Sequence, residues 1–229
     1  MPSKAVLAID NSSDFLNLAL GVEGRLLEER HARNTRPTSE ALPERVHELL
    51  EHHGLVESDL RLLVVTIGPG SFTGTRVALS FCKGLARGLG IPVTGVPTLD
   101  ALASPLVFLE GHYLLPLIDA KKGEVFTALF HTSGGKIERL IDYRAVRPGD
   151  LPRLTRTPCV CFGSGARLSS EALEGLTGVT LIHEGFSRIT GETLLRLGLS
   201  IHPAVEPGSL RPIYGRKSEA ELKFNVTID

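Results

Sequence analysis

Apolar residues along this chain follow two different periods, and the switches between them predict its elements. Leu7-Ala8-Ile9 ends at Asp10, four polar residues (Asn11-Ser12-Ser13-Asp14) follow, and Phe15-Leu16-Asn17-Leu18-Ala19-Leu20 resumes the apolar run. Short runs bounded by turn residues read as strands. Strands are expected at 4–10, 15–22 and 25–32, with Glu23-Gly24 as a turn, in an antiparallel meander. The period then becomes helical. Thr38-Ser39-Glu40 is a helix start, Leu42, Val46, Leu49 and Leu50 fall at i, i+4, i+7 and i+8, and Gly54 ends the stripe. Pro43 lies early enough to shift only the first turn. Residues 61–67 are almost continuously apolar, as in a strand covered on both faces. A helix from about Thr75 to Leu89 stopped by Gly90, a strand at 91–96 and a helix from Thr98 to about Leu106 follow, completing βββαβαβα.

The opening then returns. Leu117-Ile118-Asp119, a polar turn over 120–124 and Val125-Phe126-Thr127-Ala128-Leu129 repeat the first hairpin, with Ile-Asp and Ala-Leu at the same spacing. Val65-Thr66-Ile67-Gly68-Pro69-Gly70 returns as Val160-Cys161-Phe162-Gly163-Ser164-Gly165. Two echoes in one order point to a duplicated domain. The second copy is expected as strands at 113–119, 125–131, 136–143, 159–163 and 179–182, with helices near 167–176 and 191–200. The last thirty residues, with Pro203, Pro207, Gly208 and Pro212, read as a tail that packs back on the body. Three antiparallel strands followed by alternating helices and strands, given twice, is the layout of the ribonuclease-H-like superfold of actin and sugar kinases (ASKHA). The expected architecture is therefore α/β with mixed sheets: an N-terminal subdomain over 1–106 and a reduced second one over 107–229.

Composition narrows the functions. Of 229 residues, 42% are hydrophobic and 22% charged, enough apolar material for a real core. The net charge of −1 argues against tight nucleic-acid binding by this chain alone. Arg139, Arg144, Arg147, Arg153 and Arg156 are diluted by Glu138, Asp142 and Asp150, which reads as a solvated face. The three cysteines are sparse, and Cys159 and Cys161 flank Val160 within a strand pattern, unlike a metal knuckle. Neither a signal peptide nor a membrane span is expected, so a cytoplasmic setting is.

Three features could carry chemistry. The turn Gly68-Pro69-Gly70-Ser71-Phe72-Thr73-Gly74 opens a helix and could present backbone N–H groups to an anion. It lacks the Lys of a Walker loop and the spacings of a dinucleotide loop and of a nucleophile elbow, so a structural strand-to-helix turn is the stronger reading. Asp10 and Asp119 end the first strand of each copy and could hold a metal and phosphates, or simply cap turn N–H groups. His47 and Glu51, with His52 and His53 beyond, lack a histidine pair at i, i+4 and a third ligand, so no metal site is expected there. A different kind of feature is Ser80, Gly84 and Gly88, which line one helix face. Two interior glycines each cost about 0.5–1 kcal/mol of helix stability relative to Ala, and close approach of a partner would offset that. That partner is either the chain's own sheet or another chain. Val77, Phe81 and Leu85 form the adjacent stripe and feed the core, and the first helix sits alongside.

The stretch Gly68-Pro69-Gly70-Ser71-Phe72-Thr73-Gly74-x-Arg76, followed by Leu79-Ser80-Phe81-x-Lys83-Gly84-Leu85-Ala86, resembles the signature of the TsaB (YeaZ) family. Ala8-Ile9-Asp10-x-Ser12, Thr38-Ser39-Glu40-x-Leu42-Pro43, Thr98-Leu99-Asp100-Ala101-Leu102-Ala103, Asp119 to Phe126 and Pro212-Ile213-Tyr214-x-Arg216 continue the resemblance in family order. Asn11 stands where the family usually has Thr, and Gly215 where it has an apolar residue. The resemblance implies a non-catalytic, cofactor-free, metal-free dimerization subunit of the bacterial tRNA threonylcarbamoyladenosine machinery. It would be an inactive paralog of the transferase TsaD, pairing with it through the two N-terminal helices, with the ATPase TsaE joining and tRNA engaged only through the complex. Self-association through the same face is implied as well. On that basis the interface is expected at Leu42, Val46, Leu49, Leu50, Ser80, Gly84 and Gly88. Gly68, Gly70, Ser71, Gly74 and Arg76 form the motif, and Asp10 and Asp119 a vestigial nucleotide site. The alternative reading is an ATP-dependent phosphotransferase of the same superfold, with a peptidase as a minor one.

Overall fold

The computed structural model describes residues 5–33, 37–201 and 206–216. Two five-stranded mixed sheets organise them. The first runs β3-β2-β1-β4-β5, from β1 (Ala5–Asp10), β2 (Phe15–Val22), β3 (Arg25–Arg33), β4 (Leu60–Thr66) and β5 (Val93–Val96). The second runs β10-β9-β6-β7-β8, from β6 (Tyr113–Asp119), β7 (Val125–Ser133), β8 (Lys136–Val146), β9 (Cys159–Phe162) and β10 (Val179–Ile182). Read from the meander edge the two orders are the same. In each copy the first strand pairs antiparallel with the second and parallel with the fourth. The duplication read from two short sequence echoes is thus a duplication of topology.

Helices on both faces explain the apolar runs of the first sheet. On one face α1 (Thr38–His52) and α2 (Phe72–Leu89) cover Leu7, Ile9, Leu16, Leu18, Leu63 and Val65. On the other lies α5 (Gly191–Ser200), beside β1, β2 and β4. Small residues let it close in: a Cβ on Gly191 would lie 2.4 Å from that of Ala19, and one on Gly198 would lie 2.3 Å from Val64 Cγ2. β1 is consequently buried along its whole length.

That placement corrects the subdomain boundaries. One compact unit is Met1–Pro105 with Arg188–Pro212, and the other is Leu106–Ser187 with Ile213–Asp229. Chain order assigned 191–200 to the second copy, but its apolar and glycine face fits the sheet of the first. Among the described residues the second copy accordingly has no long final helix of its own. Its expected helix at 167–176 is a 3-10 turn at 167–169 and one α-turn, α4 (Ser170–Leu173), before Gly175 at φ +79°.

Other bounds shift for local reasons. α2 begins at Phe72, not Thr75, because Ser71 caps it, its Oγ accepting from Gly74 N at 3.2 Å. α3 (Thr98–Ala103) passes into a 3-10 turn at 104–106. β8 runs on to Val146 because Val125 and Val146 still pair.

The tail takes two places. Leu210 joins the core of the first unit. Gly215, at φ +63°, accepts at its carbonyl from Ala145 N at 2.7 Å, and Arg216 pairs with Glu124 in the second unit. A glycine suits this left-handed position better than the apolar residue expected there. Pro203 and residues 217–229 lie outside the described residues.

Candidate functional site

The glycine turn is shaped by the hairpin next to it. Ser71 N donates to Ser12 O at 2.7 Å, and Asn11 Nδ2 donates to Gly74 O at 3.0 Å. A Cβ on Gly70 would lie 2.4 Å from Ser12 O, and one on Gly74 would lie 2.2 Å from Asn11 O. Two of the motif glycines therefore exist so that this turn can press on the backbone of the β1–β2 turn. Gly68, at φ +94°, accepts at its carbonyl from Thr98 N at 2.8 Å. Its counterpart Gly163 has φ +115° and leaves only 2.3 Å between a Cβ and Leu117 O. The glycine turn thus presses on the β1–β2 turn in the first copy and on the first strand, β6, in the second. Arg76 lies outside this contact, its guanidinium 3.9 Å above the Phe72 ring.

Asp10 and Asp119 cap their turns in parallel ways. Ser12 N donates to Asp10 Oδ1 at 3.0 Å, and Lys121 N donates to Asp119 Oδ1 at 2.7 Å. Asp10 is buried and also accepts from Thr66 Oγ1 at 2.8 Å; Asp119 is half-exposed and pairs with Lys121 Nζ at 3.3 Å. Burial raises the Asp10 carboxyl above its ordinary 3.8, against the opposing pull of its hydrogen bonds. A carboxyl raised by folding favours the folded state while protonated. Its charge opposes folding progressively as pH climbs from the ordinary value to the raised one, and in full above that. Asp10→Asn keeps an acceptor for Ser12 and Thr66. It is expected to raise Tm at about pH 7, with the gain vanishing toward about pH 3. Calorimetry at both pH values checks this, and an equal shift at both would contradict it.

Sequence reasoning missed the polar row beside Asp10. Asn17 pairs with Asp10 on one side and His31 on the other. Asn17 Nδ2 donates to Glu29 Oε1 and to Ile189 O, each at 2.8 Å, while the ring of His31 stacks on Phe15 at 4.7 Å. An asparagine inside an apolar strand run was the available signal. Burial lowers His31 from its ordinary value, so it is held neutral.

The two N-terminal helices divide differently from expectation. Leu42, Val46, Leu49 and Leu50 are all 2% exposed or less and belong to the chain's own core. They are not available to a partner, which corrects their assignment to an interface. The stripe on α2 does face outward: Ser80, Gly84 and Gly88 are exposed, and a Cβ on either glycine meets nothing within 4 Å. Val77, Phe81 and Leu85 are half-buried against the core at its flank. Of the two partners open to that stripe, the chain's own sheet is eliminated.

Cys82 is pushed up by burial, and Cys161 by its hydrogen bond with Cys159 and by burial, so both stay protonated. His47 reaches Glu57 at 3.2 Å on an exposed face. Within the arginine cluster, Arg139 pairs with Asp142 at 3.3 Å and Arg153 with Asp150 at 4.0 Å. No helix among the described residues is long and apolar enough to cross a membrane.

Two sheets of one topology, each with an aspartate closing its first strand and a glycine turn packed against the first hairpin, define a duplicated ribonuclease-H-like α/β protein of the ASKHA superfold. The solved structure of a Pseudomonas aeruginosa protein with similarity to peptidase YeaZ shares this fold, with a TM-score of 0.77 at 24% identity, covering 93% of this chain and 100% of that one. The model of the family described as TsaD, tRNA N6-adenosine threonylcarbamoyltransferase, matches residues 27–175, and the chain belongs to that family. Within it, the chain is similar to TsaB proteins. The Bacillus subtilis tRNA threonylcarbamoyladenosine biosynthesis protein TsaB is 29% identical over 228 residues, 96% of this chain and 97% of that protein. The Escherichia coli TsaB is 34% identical over 124 residues, 54% of this chain and 53% of that one.

Proposed function

We propose that this protein is a non-catalytic subunit of the tRNA threonylcarbamoyladenosine machinery, docking a TsaD-type transferase through α2. The observation that carries this reading is the open stripe Ser80, Gly84 and Gly88, flanked by the half-buried apolar Val77, Phe81 and Leu85. Among the described residues nothing packs over its two glycines, yet they cost helix stability. A partner helix approaching over it would gain dispersion contact along its length. Names of the TsaB relatives place those proteins in this biosynthesis. Inactivity of this chain is supported by the glycine turn and Asp10, whose close contacts go to the protein's own hairpin. Self-association through the same face, recruitment of TsaE and an indirect encounter with tRNA belong to the same reading.

Gly84→Leu tests it. The variant is expected to fold as the wild type, since a Cβ there meets nothing, and to lose co-elution with the transferase by at least about tenfold, as a blocked hot-spot position does. Co-elution at wild-type affinity would refute the docking face. Reconstituted tRNA modification with and without this chain, and with the chain alone, tests the accessory role: turnover by the chain alone would refute it.

A further inference from the structure

The edge strand of the first sheet and the C-terminal end of α1 bring together three metal-ligating side chains that the sequence keeps apart. Glu28 stands on β3, His52 is the last residue of α1, and His53 is its C-cap. His53 Nε2 lies 2.6 Å from Glu28 Oε2, and His52 Nε2 lies 3.9 Å from the same oxygen. The ligating atoms of all three residues lie within 4.8 Å of one another. The two rings stand edge to face, centroids 5.1 Å apart and planes at 88°, so two imidazole nitrogens converge on one carboxylate oxygen from different directions.

We propose that His52 Nε2, His53 Nε2 and Glu28 Oε2 form a Zn2+ site, with water in the fourth position. Two neutral imidazoles and one carboxylate are a donor set that zinc takes at about 2.0–2.2 Å, in three-ligand sites that keep one place open. Donors on a tetrahedron of that radius lie about 3.4 Å apart. The 2.6 Å contact between His53 and Glu28 must open as the metal replaces the hydrogen they share, and His52 must move inward. The His52 side chain is 65% exposed and can do so by rotation.

One further feature favours a cation here, and a second orients its carboxylate ligand. The C-terminus of a helix carries partial negative charge from its last carbonyls, and α1 ends at this cluster. Arg30 Nε lies 2.6 Å from the other carboxylate oxygen, Glu28 Oε1, which turns Oε2 toward the histidines and restricts Glu28 to one coordinating atom. Without metal the His53–Glu28 contact is a hydrogen bond tying β3 to α1. The two roles differ in what His52 does, because only the metal site needs it.

The experiment is a titration of the untagged full chain with Zn2+ alone, by calorimetry, with Co2+ absorption as a reading of tetrahedral coordination. One equivalent is expected to bind, raising Tm. His52→Ala, at an exposed position, is expected to leave Tm in chelator unchanged, to weaken zinc affinity at least about tenfold and to remove the zinc-dependent rise. Glu28→Gln is expected to weaken binding to a similar degree. No binding tighter than about 100 µM, or wild-type affinity in His52→Ala, would overturn the proposal.

Discussion

Leu49→Ala is expected to lower the unfolding free energy of the first unit by about 2–5 kcal/mol. The side chain is fully buried, in one cluster with Leu42, Val46 and Leu50 of the same helix and with Leu16, Leu18 and Leu63 of the sheet. Alanine removes apolar contact with water excluded on every side, and a rigid sheet beneath α1 cannot collapse fully into the space. Denaturant unfolding at several protein concentrations reads the effect. The loss should be the same at each concentration, because it belongs to the isolated chain. A leucine that served mainly as a partner contact would behave differently: its removal would spare the free chain and weaken only association. A loss below about 0.5 kcal/mol would therefore contradict the burial of this stripe and return it to the interface. Gly84→Ala is the internal comparison on α2. With no atom within 4 Å of the new Cβ, it should gain up to about 1 kcal/mol of helix propensity.

Gly74→Ala is expected to destabilise the first unit by about 2–4 kcal/mol, combining overpacking with lost buried hydrogen bonds. Its Cβ would sit 2.2 Å from Asn11 O, 3.0 Å from Ser71 Oγ and 3.1 Å from Asn11 Nδ2. Backbone cannot rotate away as a side chain can, so the β1–β2 turn and the start of α2 must separate. That separation strains the bonds from Asn11 Nδ2 to Gly74 O and from Ser71 N to Ser12 O. Thermal unfolding measures the loss, and amide exchange at Ser71 and Ser12 locates it. If the turn had been built to hold an anion instead, the methyl group would impair binding while leaving Tm near that of the wild type.

Much of the fold was legible because each element obeys one local rule. The meander of β1, β2 and β3 shows in runs broken by Asn11 to Asp14 and by Glu23-Gly24. The small stripe on α2 shows in the spacing of Ser80, Gly84 and Gly88. The Leu42 to Leu50 stripe was equally legible as amphipathic. Its direction was not, since a helical period states that one face is apolar and never what covers it. Asn17 and His31 escaped notice because a polar residue in a strand run declares itself only when its cross-strand neighbours are known. The Glu28, His52 and His53 cluster escaped for a related reason: its third member comes from a strand whose place beside the end of α1 is decided by sheet order.

The amino-acid sequence by itself determined the element order, the two copies and the strand-to-helix glycine turns, because periodicity, capping and turn chemistry act over a few residues. Only the tertiary structure decided that α5 covers the first sheet, that the leucine stripe of α1 faces inward while the glycine stripe of α2 faces out, and that the motif glycines yield space to a neighbouring turn. Those outcomes depend on which surfaces fit one another, through contacts between residues far apart in the chain that no local pattern encodes.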